Sequence, residues 1–147
     1  METPTAESQQ NLEPITVQTS MAAPLEQVWA AFTDPVAIMQ WNAASPDWHT
    51  PRATNDLRVG GKFVYHMAAR DGSVGFDFEG TYTAVDAPHL LAYTMPDGRR
   101  VTVTFTPSGT DTNVTEQFDP ETVHSAELQR AGWQAILDSF KGYVEGR

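Results

Sequence analysis

From Arg58 to Phe118 apolar and polar positions alternate with a period of two, interrupted only where glycine, proline, aspartate or serine cluster. That is the pattern of antiparallel strands joined by tight turns. Phe63, Tyr65 and Met67 occupy one side of the segment Lys62 to Ala69, Asp71-Gly72 is a two-residue hairpin signal, and Phe76, Phe78, Gly80 and Tyr82 follow. Pairing outward from Asp71-Gly72 sets Met67 opposite Phe76, Tyr65 opposite Phe78 and Phe63 opposite Gly80, so the large residues share a face. Leu91, Tyr93 and Met95 predict the next strand and Val101, Val103 and Phe105 the one after. A three-residue loop Asp97-Gly98-Arg99 keeps these triplets on one face, whereas a two-residue turn would oppose them. A four-residue turn from Ser108 to Asp111 then pairs Phe105 with Val114, Val103 with Glu116 and Val101 with Phe118. Glu116 therefore lands on the apolar face.

The flanks change period. Ile15 to Thr19 alternates as a strand, and Pro24 opens a short helix whose stripe is Leu25, Val28, Trp29 and Phe32. Asp34-Pro35 starts a second short helix ending near Gln40. A long helix from about Thr122 to Glu145 carries Trp133, Ile136, Leu137, Phe140 and Val144 at helical spacing, while its first half offers only a small, polar face of Ser125, Ala126 and Gln129. Residues 1–14 are polar and aperiodic, the composition of a disordered tail, leaving 15–147 as the folded domain.

One strand, two short helices, six hairpin-linked strands and a terminal helix make an α+β domain, with a curved antiparallel sheet of about seven strands wrapped around the last helix. The blocks LRVGGKF, DGSVGFDFEGTYT, VTEQFDPE and ELQRAGWQAILDSFKGYV resemble the single-domain proteins related to the C-terminal domain of the activator of Hsp90 ATPase, within the START and Bet v 1 (helix-grip) superfamily. The resemblance implies a cavity between sheet and long helix, with no single chemistry attached to it. It also raises Hsp90 as a partner, although the chain lacks the separate N-terminal domain of full-length activators.

In such a fold the stretch WNAASPDWHTPR, residues 41–52, would pass over the cavity entrance. It has neither strand nor helix period and reads as a loop stiffened by Pro46 and Pro51. Trp41 and Trp48 would roof the pocket, or would cap one end of the core with their N–H groups bonded to backbone.

Composition narrows the partners. The 147 residues carry a formal net charge of −10 with nine scattered Lys and Arg, which leaves little to build a nucleic-acid face and disfavours an anionic membrane. No run is long and apolar enough to span a bilayer and no signal peptide is apparent, so the expected address is the cytoplasm. Cysteine is absent, and the histidines at 49, 66, 89 and 124 lack ligand spacing, so neither metal nor cofactor is expected. His66 falls opposite Asp77 on the outer sheet face. No serine has a nucleophile motif.

The expected activity is binding of a small hydrophobic or aromatic molecule by a monomer or homodimer. Its lining would be Phe63, Tyr65, Met67, Phe76, Phe78, Tyr82 and Tyr93, joined by Val103, Phe105, Glu116 and Phe118, with Gln129 and Trp133 from the helix and Trp41 and Trp48 above. Two residues are candidates for acid or base chemistry in the alternative, a cavity enzyme. His49, with Asp47 and Arg52 close in sequence, would form a polar cluster at the pocket mouth, although a lone loop histidine is more readily explained as fixing the loop. A carboxylate facing inward must be paired, wet or neutralised. Glu116 is thus a structural salt bridge, a partner of a helix group such as Gln129, an anchor for a ligand hydroxyl or amine, or a general base.

Overall fold

A computed structural model describes residues 13–146. The expected tail lies outside the described residues except for Glu13 and Pro14. Elements follow in the order β1 (Ile15–Met21), α1 (Leu25–Thr33), α2 (Pro35–Trp41), β2 (Trp48–Asn55), β3 (Lys62–Ala69), β4 (Gly75–Asp86), β5 (Leu90–Thr94), β6 (Arg100–Ser108), β7 (Asp111–Phe118) and α3 (Ala126–Val144). The strands form one antiparallel sheet in the spatial order β1-β7-β6-β5-β4-β3-β2. The architecture is the α+β arrangement that the pattern predicts, and the helix-grip form that the resemblance implies. No helix among the described residues is long and apolar enough to cross a membrane.

Two hairpins keep the expected register. Met67, Tyr65 and Phe63 face Phe76, Phe78 and Gly80, and Phe105, Val103 and Val101 face Val114, Glu116 and Phe118. The first is closed by a longer loop than two residues, with the Ala69 N–H reaching the Val74 carbonyl at 2.9 Å, but it is symmetric about Asp71-Gly72, so the register survives.

The hairpin between β5 and β6 departs from expectation by two residues. Its loop is Pro96-Asp97-Gly98, with Met95 bonded to Arg99, so Tyr93 opposes Val101 and Leu91 opposes Val103. Gly98 decides this, because its φ of +94° supplies the left-handed residue of a three-residue loop. An even slip leaves every side chain on its face.

Curvature comes from irregularities. A bulge between Tyr82 and Ala84 bends the long strand β4, and another lies between His49 and Arg52 in edge strand β2. Pro51 sits at this second break, where a missing N–H is tolerated; it belongs to a strand, not to the loop expected over 41–52. At Gly80 the sheet face is crowded: a Cβ there would stand 2.7 Å from ring atoms of both Phe63 and Tyr93. Gly80→Ala should therefore destabilise by about 1–3 kcal/mol through overpacking, measured by denaturant titration, and an unchanged midpoint would show that those rings can yield.

The long helix begins four residues later than its periodicity suggests. Ser125 is the N-cap, its hydroxyl accepting from the Leu128 N–H at 3.1 Å. Residues before it form a separate turn, in which the Glu121 carboxylate accepts from the Val123 and His124 N–H groups. From Leu137 onward the helix is clamped: Leu137, Phe140 and Val144 are buried, and the Lys141 ammonium donates to the Ser20 carbonyl of β1. Ahead of that point Ala126, Glu127, Leu128, Arg130 and Ala131 face solvent. The C-terminal half fills the core, whereas the N-terminal half reaches the sheet chiefly through Trp133, stacked on Phe118, and Gln134, which donates to the Gln18 carbonyl.

Candidate functional site

Two aromatic groups result from this split. In the closed half Phe32 packs on Phe105, Phe140 and Trp41 with ring centroids 5.2–5.3 Å apart. In the other half Phe63 is the hub, 4.7 Å from Tyr93, 4.8 Å from Tyr65, 5.5 Å from Tyr82 and 5.6 Å from Phe78. Trp133 descends from α3, stacked on Phe118 at 3.9 Å and edge-on to Phe78 at 6.0 Å. Between the groups lies an open-sided cavity of about 240 Å³.

Ten of the expected lining residues meet at this cavity: Trp41, Phe63, Tyr65, Met67, Phe76, Phe78, Tyr82, Tyr93, Glu116 and Trp133. Phe76 marks its open side, being half exposed. Val103, Phe105 and Phe118 are instead sealed in packed core. Other rings cover two of them, Trp133 stacking on Phe118 and Trp29 and Phe32 meeting Phe105 edge-on. Gln129 is also removed from the lining. Its amide accepts from the Glu121 N–H and donates to the Glu121 and His124 carbonyls, tying down the turn that precedes α3.

The two indoles have different positions, neither of them in a loop. Trp41 ends α2 and is buried, its N–H donating to the Ala31 carbonyl at 2.9 Å; it forms part of the cavity wall and of the core. Trp48 begins β2, half-buried, with its ring edge-on to Phe76 at 6.0 Å, away from the cavity lining. His49 follows it in β2, opposite Ala68 and outside the lining. His66 bonds Asp77 at 2.8 Å on the outer face. Among the described residues no group of three His, Cys, Asp or Glu is placed to hold a metal.

Phe32, Asn42, Leu91, Met95, Arg99 and Ile136 also line the cavity and were absent from the expected set. Leu91 and Met95 could have been found, because each is two residues from Tyr93 on the same face. Ile136 lies three residues from Trp133, one helical turn along the same stripe.

Polar groups here are few. The Asn42 amide donates to Thr50, the Tyr82 hydroxyl to Asn55 at 2.7 Å, and the Arg99 guanidinium to Asp97 at 2.7 Å. Burial pushes the Tyr65 and Tyr93 phenols well above their ordinary range and Tyr82 up to about 12, so all three stay neutral. Glu116 is different. It is 8% exposed, opens onto the cavity, and has neither hydrogen bond nor ion pair among the described residues; its oxygens are not sealed off but reached from the cavity. Desolvation raises its pKa from 4.5 to about 8, so the group is a neutral acid at pH 7. A structural salt bridge and a bond to Gln129 are both ruled out by this geometry.

Comparison with known proteins places the geometry among relatives. The family described as Activator of Hsp90 ATPase homolog 1-like protein matches residues 22–145. An AHSA1-like protein from Aeromonas hydrophila is 52% identical, with 90% of this chain and 92% of that one aligned at a TM-score of 0.85. Protein Chr148 from Cytophaga hutchinsonii is 51% identical over 89% and 91% of the two chains, with a TM-score of 0.78. Protein CV1439 from Chromobacterium violaceum is 23% identical over 91% and 99%, with a TM-score of 0.81, a likeness of fold. No curated protein matches the chain.

Proposed function

Since the chain belongs to the Activator of Hsp90 ATPase homolog 1-like family, whose fold often serves to bind ligands, we propose that it binds a small hydrophobic or aromatic molecule between the sheet and α3. The observation that carries this reading is the Glu116 carboxyl, without a hydrogen-bond partner among the described residues, in a mainly apolar and aromatic recess. Burying a carboxyl without a partner costs stability, and a ligand that hydrogen-bonds to it offsets that cost. The volume of about 240 Å³ falls below the roughly 300–1,000 Å³ typical of drug-sized sites, so the ligand is about the size of one substituted ring. Trp133 and Trp41 report on it directly. Titration with small apolar aromatics should quench tryptophan fluorescence saturably and raise Tm, with about 2.7 kcal/mol of stabilisation at a hundredfold excess over Kd. A chemically broad fragment screen without one saturable binder would sink the proposal.

A second reading, a cavity enzyme, is favoured by the same residue. A carboxyl with a pKa of about 8 is poised for general acid or base work near neutral pH. Turnover of a bound compound that disappears in Glu116→Gln separates this reading from simple binding.

A further inference from the structure

Several rings of the cavity wall meet at steep angles. Phe63 and Tyr93 meet at 82°, Phe78 and Tyr93 at 84°, and Phe78 and Trp133 at 80°. These rings pack edge to face on one another and all border the cavity that Glu116 also borders, and an aromatic ring is negative over its face. Of the two charged side chains that line the cavity, Arg99 is already held by Asp97 outside it, whereas Glu116 has no counter-charge among the described residues. A largely aromatic cavity that holds one carboxyl without a counter-charge is suited to a cation. The net charge of −10 draws cations toward the protein as a whole.

We propose that the ligand of this cavity is an organic cation, an amine or quaternary ammonium on a small apolar body, whose nitrogen is taken by the Glu116 carboxylate within a cavity lined largely by aromatic rings. The inference rests on the small-molecule reading above and specifies its chemistry. A neutral ligand leaves Glu116 protonated and uses the rings only as apolar surface. A cation ionises Glu116, forms a desolvated ion pair with it, and gains cation–π attraction from the surrounding rings.

Protons must then balance. In the empty protein at pH 7 Glu116 carries its proton. Binding a cation of fixed charge converts the acid to carboxylate and releases that proton to the buffer, so affinity depends on pH through Glu116. The other titratable groups facing the cavity are Tyr65 from β3, Tyr82 from β4 and Tyr93 from β5, all neutral, and Arg99, paired with Asp97, ahead of β6. The helices contribute Phe32, Trp41, Trp133 and Ile136, none of which titrates.

The test uses benzyltrimethylammonium, whose charge does not titrate, beside its neutral isostere neopentylbenzene, by calorimetry in buffers of different ionisation enthalpy. The ammonium should bind the wild-type protein with release of close to one proton at pH 7. Its affinity should rise about tenfold per pH unit up to about pH 8 and then level off. Glu116→Gln should remove the pH dependence and weaken ammonium binding at least tenfold at pH 8.5; the proton release in wild type keeps the proposal testable if that variant fails to fold. Neopentylbenzene binding equally well or better, or ammonium binding without proton release, overturns the cation and leaves the cavity reading standing. Binding of neither probe, nor of any compound in the fragment screen, overturns both.

Discussion

Glu116→Gln should stabilise the protein by roughly 4–5 kcal/mol at pH 9 and leave it nearly unchanged at pH 4.5. The size comes from the displacement of the folded pKa from 4.5 to about 8, at about 1.4 kcal/mol per unit. Between those values the folded state holds a proton that the unfolded state has lost, so stability falls as pH rises. The contribution of neutral Glu116 is complete below the unfolded pKa and gone above the folded one. Glutamine keeps the shape and never ionises, so the difference between wild type and variant isolates this group from every other that titrates. Denaturant titrations at pH 5 and pH 8.5 measure it. A variant less stable than wild type at the higher pH would mean that the carboxylate has a favourable partner in the folded protein.

That Glu116 could be placed inside from sequence is a property of hairpins. Register propagates from a turn, and the turn from Ser108 to Asp111 leads through alternating residues to Val103 opposite Glu116. The same arithmetic tolerates an even error: the β5–β6 hairpin lies two residues from its expected register, yet every side chain keeps its face. Helix ends obey weaker rules. The stripe through Trp133 continues backward to Gln129, but local side-chain bonds from Glu121, Ser125 and Gln129 to backbone groups end the helix and take Gln129 out of the site. Periodicity names the residues facing inward and leaves open which of them touch each other and which border empty space. That division depends on which helix side chains lie over the sheet, as Trp133 does over Phe118 and Phe32 against Phe105, contacts between residues far apart in sequence. Val103, Phe105 and Phe118 therefore could not be told from Tyr65 and Tyr93 in advance.

Trp41→Ala should cost about 3–5 kcal/mol, and Trp48→Ala only about 1–2 kcal/mol. Both indoles sit in the same twelve aperiodic residues. The lack of period arises because the stretch holds the end of a two-turn helix, a connection, and a strand broken by a bulge. Trp41 is 4% exposed, lies 4.8 Å from Phe140 and 5.3 Å from Phe32, and its N–H satisfies the Ala31 carbonyl. Its loss leaves a void continuous with the cavity and removes the bond that joins α2 to α1. The adjoining link to α3, from the Ser139 hydroxyl to the Trp41 carbonyl at 2.7 Å, uses backbone and remains only if the end of α2 stays in place. Trp48 offers an edge contact with half-exposed Phe76 and no hydrogen bond from its indole among the described residues, so its truncation gives up one aromatic pair and partial burial. Paired chemical denaturation of the two variants reads the difference, and hydrogen exchange locates it. Protection should fall across α1, α2 and the C-terminal half of α3 in Trp41→Ala and only near the β2 edge in Trp48→Ala. Equal costs would mean that Trp48 supports the edge strand beyond its contact with Phe76, and that the roof role belongs to it after all.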